Sequence, residues 1–355
     1  MTDTISRRKF LSRAPGFALL PALAGLPFSA RAASPSTALS GVVGTWGGDY
    51  LKLLQENVDV PLLRPEHCTT NYAVADQFVR KTQMIAERAR HVGSMDVSLL
   101  GDVDMYDTKT AGALADIDPK TVPNYVNVIE ALRHPYAVPH IFSAQVIVYN
   151  PALIKTRPDS FLAALDPRNK GLVGFSDILS RYNLMAGAMA DGAKPHDLDA
   201  AMKFFKQLKA LGPRVYPSNE TVAAGLKSGE IGMTFMWKAR ALQWKNAGLP
   251  VEFAFPKEGA VPYISEASPL KNARSSAFAS TYMNALLTPS AQLAFAKTMG
   301  YAPTVTNAGL PADLQQQVGF TPSETTRIVK LDYAALARQQ AAADAFWNED
   351  FKASL

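Results

Sequence analysis

The stretch Leu39-Ser40-Gly41-Val42-Val43-Gly44-Thr45-Trp46-Gly47-Gly48-Asp49-Tyr50 runs from a short apolar segment through a glycine pair into a helical pattern. Leu39–Thr45 reads as a buried strand, Gly47-Gly48-Asp49 as its exit turn, and Tyr50–Glu56 as a helix with Asp49 at its N-cap. Outward from there the unit recurs. Phe78–Arg90 reads as a helix closed before Gly93, and Met95–Leu100 as a strand ended by Gly101. Tyr136–Pro139 and Gln145–Tyr149 bracket an extended segment that Asn150-Pro151 stops. Gly171–Phe175, Ile231–Met236 and Val251–Phe255 are further predicted strands. Leu198–Leu211, Thr221–Ser228, Ser276–Leu287 and Ser290–Met299 are predicted helices. The Ala- and Gln-rich tail, Asp332–Phe351, also reads as helix. Strand, turn and helix alternate, the pattern of an open α/β sheet.

Upstream, Ser6-Arg7-Arg8-Lys9-Phe10-Leu11 is a twin-arginine export motif. The apolar run Ala14–Phe28 follows, then Ala30-Arg31-Ala32 in the small-x-small form that a signal peptidase cuts after. Pro15, Pro21 and Pro27 break the run, and it falls short of the ~20 apolar residues of a spanning helix. Residues 1–32 are therefore expected to be a Tat signal peptide, cleaved near Ala32, that delivers a folded chain to the periplasm. No cysteine adjoins the cleavage site, so no lipid anchor is expected. Cys68 is the only cysteine, which leaves no internal disulfide to form.

The formal net charge is +5, but Arg7, Arg8, Lys9, Arg13 and Arg31, against Asp3 alone, lie in the leader. The mature chain is near neutral and carries no electrostatic footprint for nucleic acid or an acidic membrane. Its length exceeds the ~250–300 residues that one core usually serves, so two lobes are expected.

Common catalytic motifs are missing. The histidines (His67, His91, His134, His140, His196) show no metal-ligand spacing, and there is no H-E-x-x-H, G-x-S-x-G, Walker loop or G-x-G-x-x-G. No metal or cofactor is expected. Aromatic residues instead cluster near predicted strand ends: Trp46, Phe142, Trp237, Tyr263 and Tyr301. Singly, each reads as core packing. Ligands in open α/β sheets, however, bind beyond the carboxyl ends of strands.

Several segments carry a family resemblance. They are Thr45-Trp46-Gly47-Gly48-Asp49-Tyr50, Met95–Leu99, Val138–Asn150, Gly229–Trp237, Gly248–Gly259 with its Pro256-Lys257-Glu258-Gly259 element, and Met299-Gly300-Tyr301-Ala302-Pro303-Thr304. From about Gly41 to Asn307 the chain resembles a periplasmic solute-binding protein of an ABC importer, of the spermidine/putrescine-binding type within extracellular solute-binding protein family 1. The resemblance implies an α/β, two-lobed type II binding protein, each lobe a mixed sheet flanked by helices, joined by crossover segments that act as a hinge. Lobe one would hold 34–139 and 262–310, lobe two 140–261, and the tail 311–355 would pack across them.

It further implies a non-enzymatic receptor, a monomer that closes on a small solute and delivers it to an inner-membrane permease and ATPase. Trp46, Phe142, Trp237, Tyr263 and Tyr301 would wall the cleft, and Asp177 would be a carboxylate for a ligand ammonium. Gly47 and Gly48 would offer backbone N–H groups to a ligand carboxylate. The chain departs from polyamine binders after Tyr263, where Ser265 stands in place of an aspartate with Glu266 beside it. Glu266 could substitute in a loop but would point the other way in a strand. Arg181, Lys238 and Arg240 near cleft positions would suit an anionic group; Lys238 and Arg240 could instead be solvated helix charges. A polyamine-like amine is the favoured solute, with an opine or organic carboxylate as the alternative. Iron-binding relatives use a Tyr-Tyr pair that this chain lacks. A periplasmic enzyme on the same scaffold and a sensor for a chemoreceptor or histidine kinase are the competing functions.

Overall fold

The computed structural model describes residues 38–355. The twin-arginine motif and its cleavage site lie outside the described residues. The opening strand β1 (Leu39–Thr45) stands as the sequence predicts. Gly48 turns at φ +63°, and α1 (Gly48–Leu54) begins there with Gly47 in the cap position. Asp49 is thus in the first helical turn rather than at the N-cap, where its charge still complements the helix dipole. The helix does not stop at Glu56: it widens into a π-helical stretch, Gln55–Leu63, that contains Pro61.

The edge strand β2 (Cys68–Val74) escapes the sequence reading because its polar CTTNYAV sequence shows no clean alternation. It pairs parallel to β1 along its whole length. Helix α2 (Gln77–Glu87) is capped by the Asp76 side chain, which accepts from the Phe78 N–H at 2.8 Å. Strand β3 (Val97–Gly101) is wholly buried and leads into α3 (Asp102–Thr110). The two extended pieces around residue 142 are one 12-residue strand, β4 (Val138–Tyr149).

The following units are β5 (Gly174–Ser176), α4 (Ser180–Ala190), α5 (Leu198–Lys209), β6 (Arg214–Tyr216), α6 (Asn219–Ser228), β7 (Met233–Trp237), α7 (Lys238–Asn246) and β8 (Glu252–Ala254). The chain then returns along β9 (Pro262–Pro269) to α8 (Ser276–Leu286) and α9 (Pro289–Met299). It closes with α10 (Ala312–Val318), α11 (Pro322–Thr325) and α12 (Tyr333–Ala345).

One seven-stranded sheet runs β2-β1-β3-β9-β4-β7, with β8 on β4, and β5 and β6 form a separate parallel pair. Strands β4 and β9 are the crossover. The first half of β4 pairs with β9 through Ala144↔Pro262, and from Gln145↔Trp237 it pairs with β7. The apolar interior divides accordingly. One cluster gathers Val43, Leu54, Val97, Ile264, Phe278 and Phe295 around β1, β3 and β9. Another gathers Ile147, Phe161, Phe175, Phe205 and Phe235 around β7 and β4. The tail is built into the second: Trp347 and Phe351 meet Phe205 at 5.5 and 4.9 Å. Mixed α/β architecture is thus as predicted. Among the described residues, no helix is long and apolar enough to cross a membrane.

Candidate functional site

A cleft of about 760 Å³ lies where both apolar clusters meet the ends of β1, β7 and β9. Trp46, Gly47 and Gly48 line it from the β1 exit turn, Trp237 from the end of β7, Arg240 from α7, Tyr263 from β9 and Tyr301 from beyond α9. Four rings, Tyr182, Trp237, Tyr263 and Tyr301, form one connected surface. Trp237 and Tyr263 stack at 4.7 Å, Tyr182 of α4 meets Trp237 edge-on at 4.6 Å, and Tyr301 lies 6.2 Å from Tyr263. Trp46 meets Tyr50 edge-on at 5.2 Å, and the Arg80 guanidinium sits 4.8 Å over the Trp46 ring. Such a surface buries apolar parts of a solute and attracts a cationic group by its π faces.

The cleft lining carries two cations, Arg240 and the exposed Lys297, against three carboxylates. Arg240 is partly buried; its Nη1 donates to Gln243 Oε1 at 3.0 Å, while its buried Nε has no hydrogen-bond partner among the described residues. No ion pair involves it there. Burial pushes the Tyr301 phenol up, and the Arg240 charge offsets part of that rise. The lining carboxylates are Asp49, Asp76 and Glu220, all exposed at the mouth. Asp76 already caps α2. Arg80 is 1% exposed; its Nη atoms donate to the carbonyls of Ala75 and Leu99, and its Nε, like that of Arg240, has no hydrogen-bond partner among the described residues. Burial lowers it to about 10.

The remaining predicted residues are placed elsewhere. Asp177 faces the tail: its Oδ1 accepts from Trp347 Nε1 at 2.7 Å and its Oδ2 from Lys352 Nζ at 2.9 Å. Phe142 packs against Phe320 at 5.5 Å and is not part of the lining. Ser265 is fully buried, 3.4 Å from the Tyr50 hydroxyl. Glu266, its neighbour on β9, points to the opposite face because strand side chains alternate. It is fully buried, 3.5 Å from His134 Nε2, with neither oxygen hydrogen-bonded. Burial and the nearby Asp102 charge push its carboxyl well above the usual range. Glu266 is not part of the cleft lining.

Of the other cations, Arg181 is paired with Asp107 at 2.8 Å and Asp104 at 3.5 Å. Lys238 donates to the Gly319 carbonyl and lies over Phe320. Neither lines the cleft. The sequence reading missed Tyr182, Arg80 and Asn219. Arg80 falls on the buried face of α2 with Met84 and Glu87, at the spacing that ordinarily marks apolar positions.

Comparison with known proteins bears on this geometry. The family described as bacterial extracellular solute-binding protein matches residues 81–322. The spermidine/putrescine-binding periplasmic protein of Salmonella typhimurium is 28% identical over 203 residues, which cover 54% of this chain and 58% of the relative. The chain thus spans a little over half the length of the curated relatives it matches. An ABC transporter substrate-binding protein from Bradyrhizobium japonicum superposes with a TM-score of 0.76 at 20% identity, covering 87% of this chain and 98% of that one. The binding protein AgtB of A. tumefaciens R10, solved in complex with agropinic acid, gives 0.73 at 19% identity with the same coverage. At these identities the structural likeness establishes the type II binding-protein fold.

Proposed function

The chain belongs to the bacterial extracellular solute-binding protein family, and from that premise we propose that it is the solute receptor of an ABC importer, working in the periplasm. Its solute is a small organic acid that also carries an amine or a hydroxylated chain. Capture takes place between two lobes, 34–139 with 262–310 and 140–261, hinged at β4 and β9, and closure presents the complex to a permease and its ATPase.

The observation that carries the solute class is Arg240. It is a cation set among aromatic rings, with a free Nε and no carboxylate partner among the described residues. Burying it under a closing lobe requires an anion, and a solute carboxylate supplies one in a fork geometry suited to guanidinium. Trp237 and Tyr263 then cover the solute's body, and an amine at its other end finds the π faces and the mouth carboxylates Asp76 and Glu220. That a structural neighbour was solved with agropinic acid supports an acid of this kind.

A linear diamine is the second reading. It is favoured by the spermidine/putrescine-binding relatives and by the three carboxylates at the mouth.

A thermal-shift and calorimetric screen of γ-aminobutyrate, agropinic acid, acetate, putrescine and spermidine tests both. A solute at a hundredfold over its Kd adds ~2.7 kcal/mol to stability. Stabilisation by γ-aminobutyrate or agropinic acid, lost in Arg240→Gln, supports the acid. Stabilisation by spermidine alone, unaffected by Arg240→Gln, overturns it. Recovery of chemically altered solute would overturn the receptor reading itself.

A further inference from the structure

Behind the Tyr182 wall, one carboxylate joins three parts of the chain. Asp102 opens α3 and is 1% exposed. Its Oδ1 accepts the Tyr182 hydroxyl at 2.9 Å, and its Oδ2 accepts the Tyr333 hydroxyl at 2.8 Å. Tyr182 belongs to α4, lines the cleft and holds its edge against Trp237. Tyr333 opens α12 and is not part of the cleft lining. It stacks on Tyr106 of α3 at 5.6 Å and meets His134 edge-on at 5.6 Å. The far end of the same segment is anchored by Trp347, buried in the second apolar cluster and bonded to Asp177. The C-terminal segment is therefore fastened at one end to the second core. At the other it reaches the carboxylate that holds a cleft wall.

We propose that the C-terminal helix positions the cleft wall through Asp102: Tyr333 and Tyr182 each take one of its oxygens, so the seating of α12 sets how Tyr182 holds Trp237. Asp102 and Tyr333 are positioning residues, and neither touches solute. Truncating the tail and altering the cleft are then the same perturbation seen from two ends. The consequence for solute affinity rests on the receptor reading above; the coupling itself does not.

The chemistry makes the link responsive to pH. A buried carboxylate accepts from both phenols as a charge-assisted acceptor. Once it takes a proton, one oxygen becomes a donor and a phenol loses its partner. Burial pushes Asp102 up to about 6, against the bonds from Tyr333, Tyr182 and the N–H groups of Ile264 and Val103. Other titratable groups face it from every side. They are Glu266 and Tyr263 from β9, Tyr136 ahead of β4, and Tyr182 and Tyr333 themselves. Beyond them on the α3 side lies the ion-pair cluster of Asp104 and Asp107 with Lys81 and Arg181.

The test uses the solute-free chain and acrylamide quenching of Trp237, read as the difference between each protein and its Trp237→Phe counterpart. In the unaltered protein, quenching should rise as pH falls through about 6. Tyr333→Phe should raise it at neutral pH, and adding Tyr182→Phe should add little, because the two hydroxyls act through one carboxylate. Asp102→Asn should remove the pH dependence. The tyrosine variants keep their rings, so they remain readable where Asp102→Asn fails to fold. If Tyr333→Phe matches the unaltered protein at every pH, or if the two tyrosine effects simply add, the proposal is overturned. Because acrylamide needs no solute, this outcome stands apart from any failure of the receptor reading.

Discussion

Arg240 on α7 and Glu266 on β9 are both ionisable groups without a full set of partners. Arg240 lines the cleft, partly exposed, with an orphan Nε. Glu266 is fully buried with two orphan oxygens beside a histidine that burial also keeps neutral-leaning. An acid in that position meets the burial penalty by keeping its proton. Guanidinium has no such route, since it stays charged in any ordinary protein environment. One unsatisfied group is thus relieved by its proton, while the other keeps its charge in the cleft. The difference teaches that a missing hydrogen bond means different things for a group that can shed its charge and for one that cannot.

Removing the guanidinium should have the largest effect. Arg240→Gln is expected to weaken binding of a carboxylated solute by ~2–5 kcal/mol, the scale for truncating one partner of a buried charge pair. Calorimetry reads it, and an unchanged affinity would move the anion site elsewhere.

The acid face is sharpened by stability against pH. Asp102 rises from the ordinary 3.8 to about 6 in the folded chain, and Glu266 shifts the same way. A raised carboxyl contributes stability that is fully present below its unfolded value and lost as pH rises through its folded value. For Asp102 that amounts to roughly 3 kcal/mol between acidic and neutral conditions. Urea midpoints should therefore fall as pH climbs from about 4 past 6, and Asp102→Asn should flatten the decline. A midpoint that rises over that window would contradict the assignment.

Trp237→Ala should cost ~1–3 kcal/mol of solute affinity, as for a packed aromatic anchor. At 3% exposure the ring is also core, so its loss should lower stability as well. A variant destabilised but binding normally would make Trp237 packing alone.

The smallest effect is expected at Asp177. Because its oxygens serve Trp347 and Lys352, Asp177→Asn should leave binding unchanged and lower stability by ~1 kcal/mol. Selective loss of amine binding in that variant would return Asp177 to the cleft.

Much of this was legible before any coordinates. The β1 turn, the helices after Leu198 and Ser276, and the strand ending at Trp237 all follow from local periodicity and turn residues. Trp46, Trp237, Tyr263 and Tyr301, singled out through the family resemblance, do line the cleft, whereas Phe142 does not. The strand β2 and the helices α3 and α7 were less legible, having little apolar rhythm of their own.

By itself, then, the sequence determined the α/β alternation, which is written in short-range spacing, while the aromatic walls of the cleft came from the family resemblance. Only the tertiary structure decided which charges line the cleft. Asp177 is claimed by Trp347 and Lys352, Glu266 is turned away beside His134, and Asp102 is shared by Tyr182 and Tyr333. Each of these fates depends on a partner distant in the chain, and a charge is free for recognition only when no such partner reaches it.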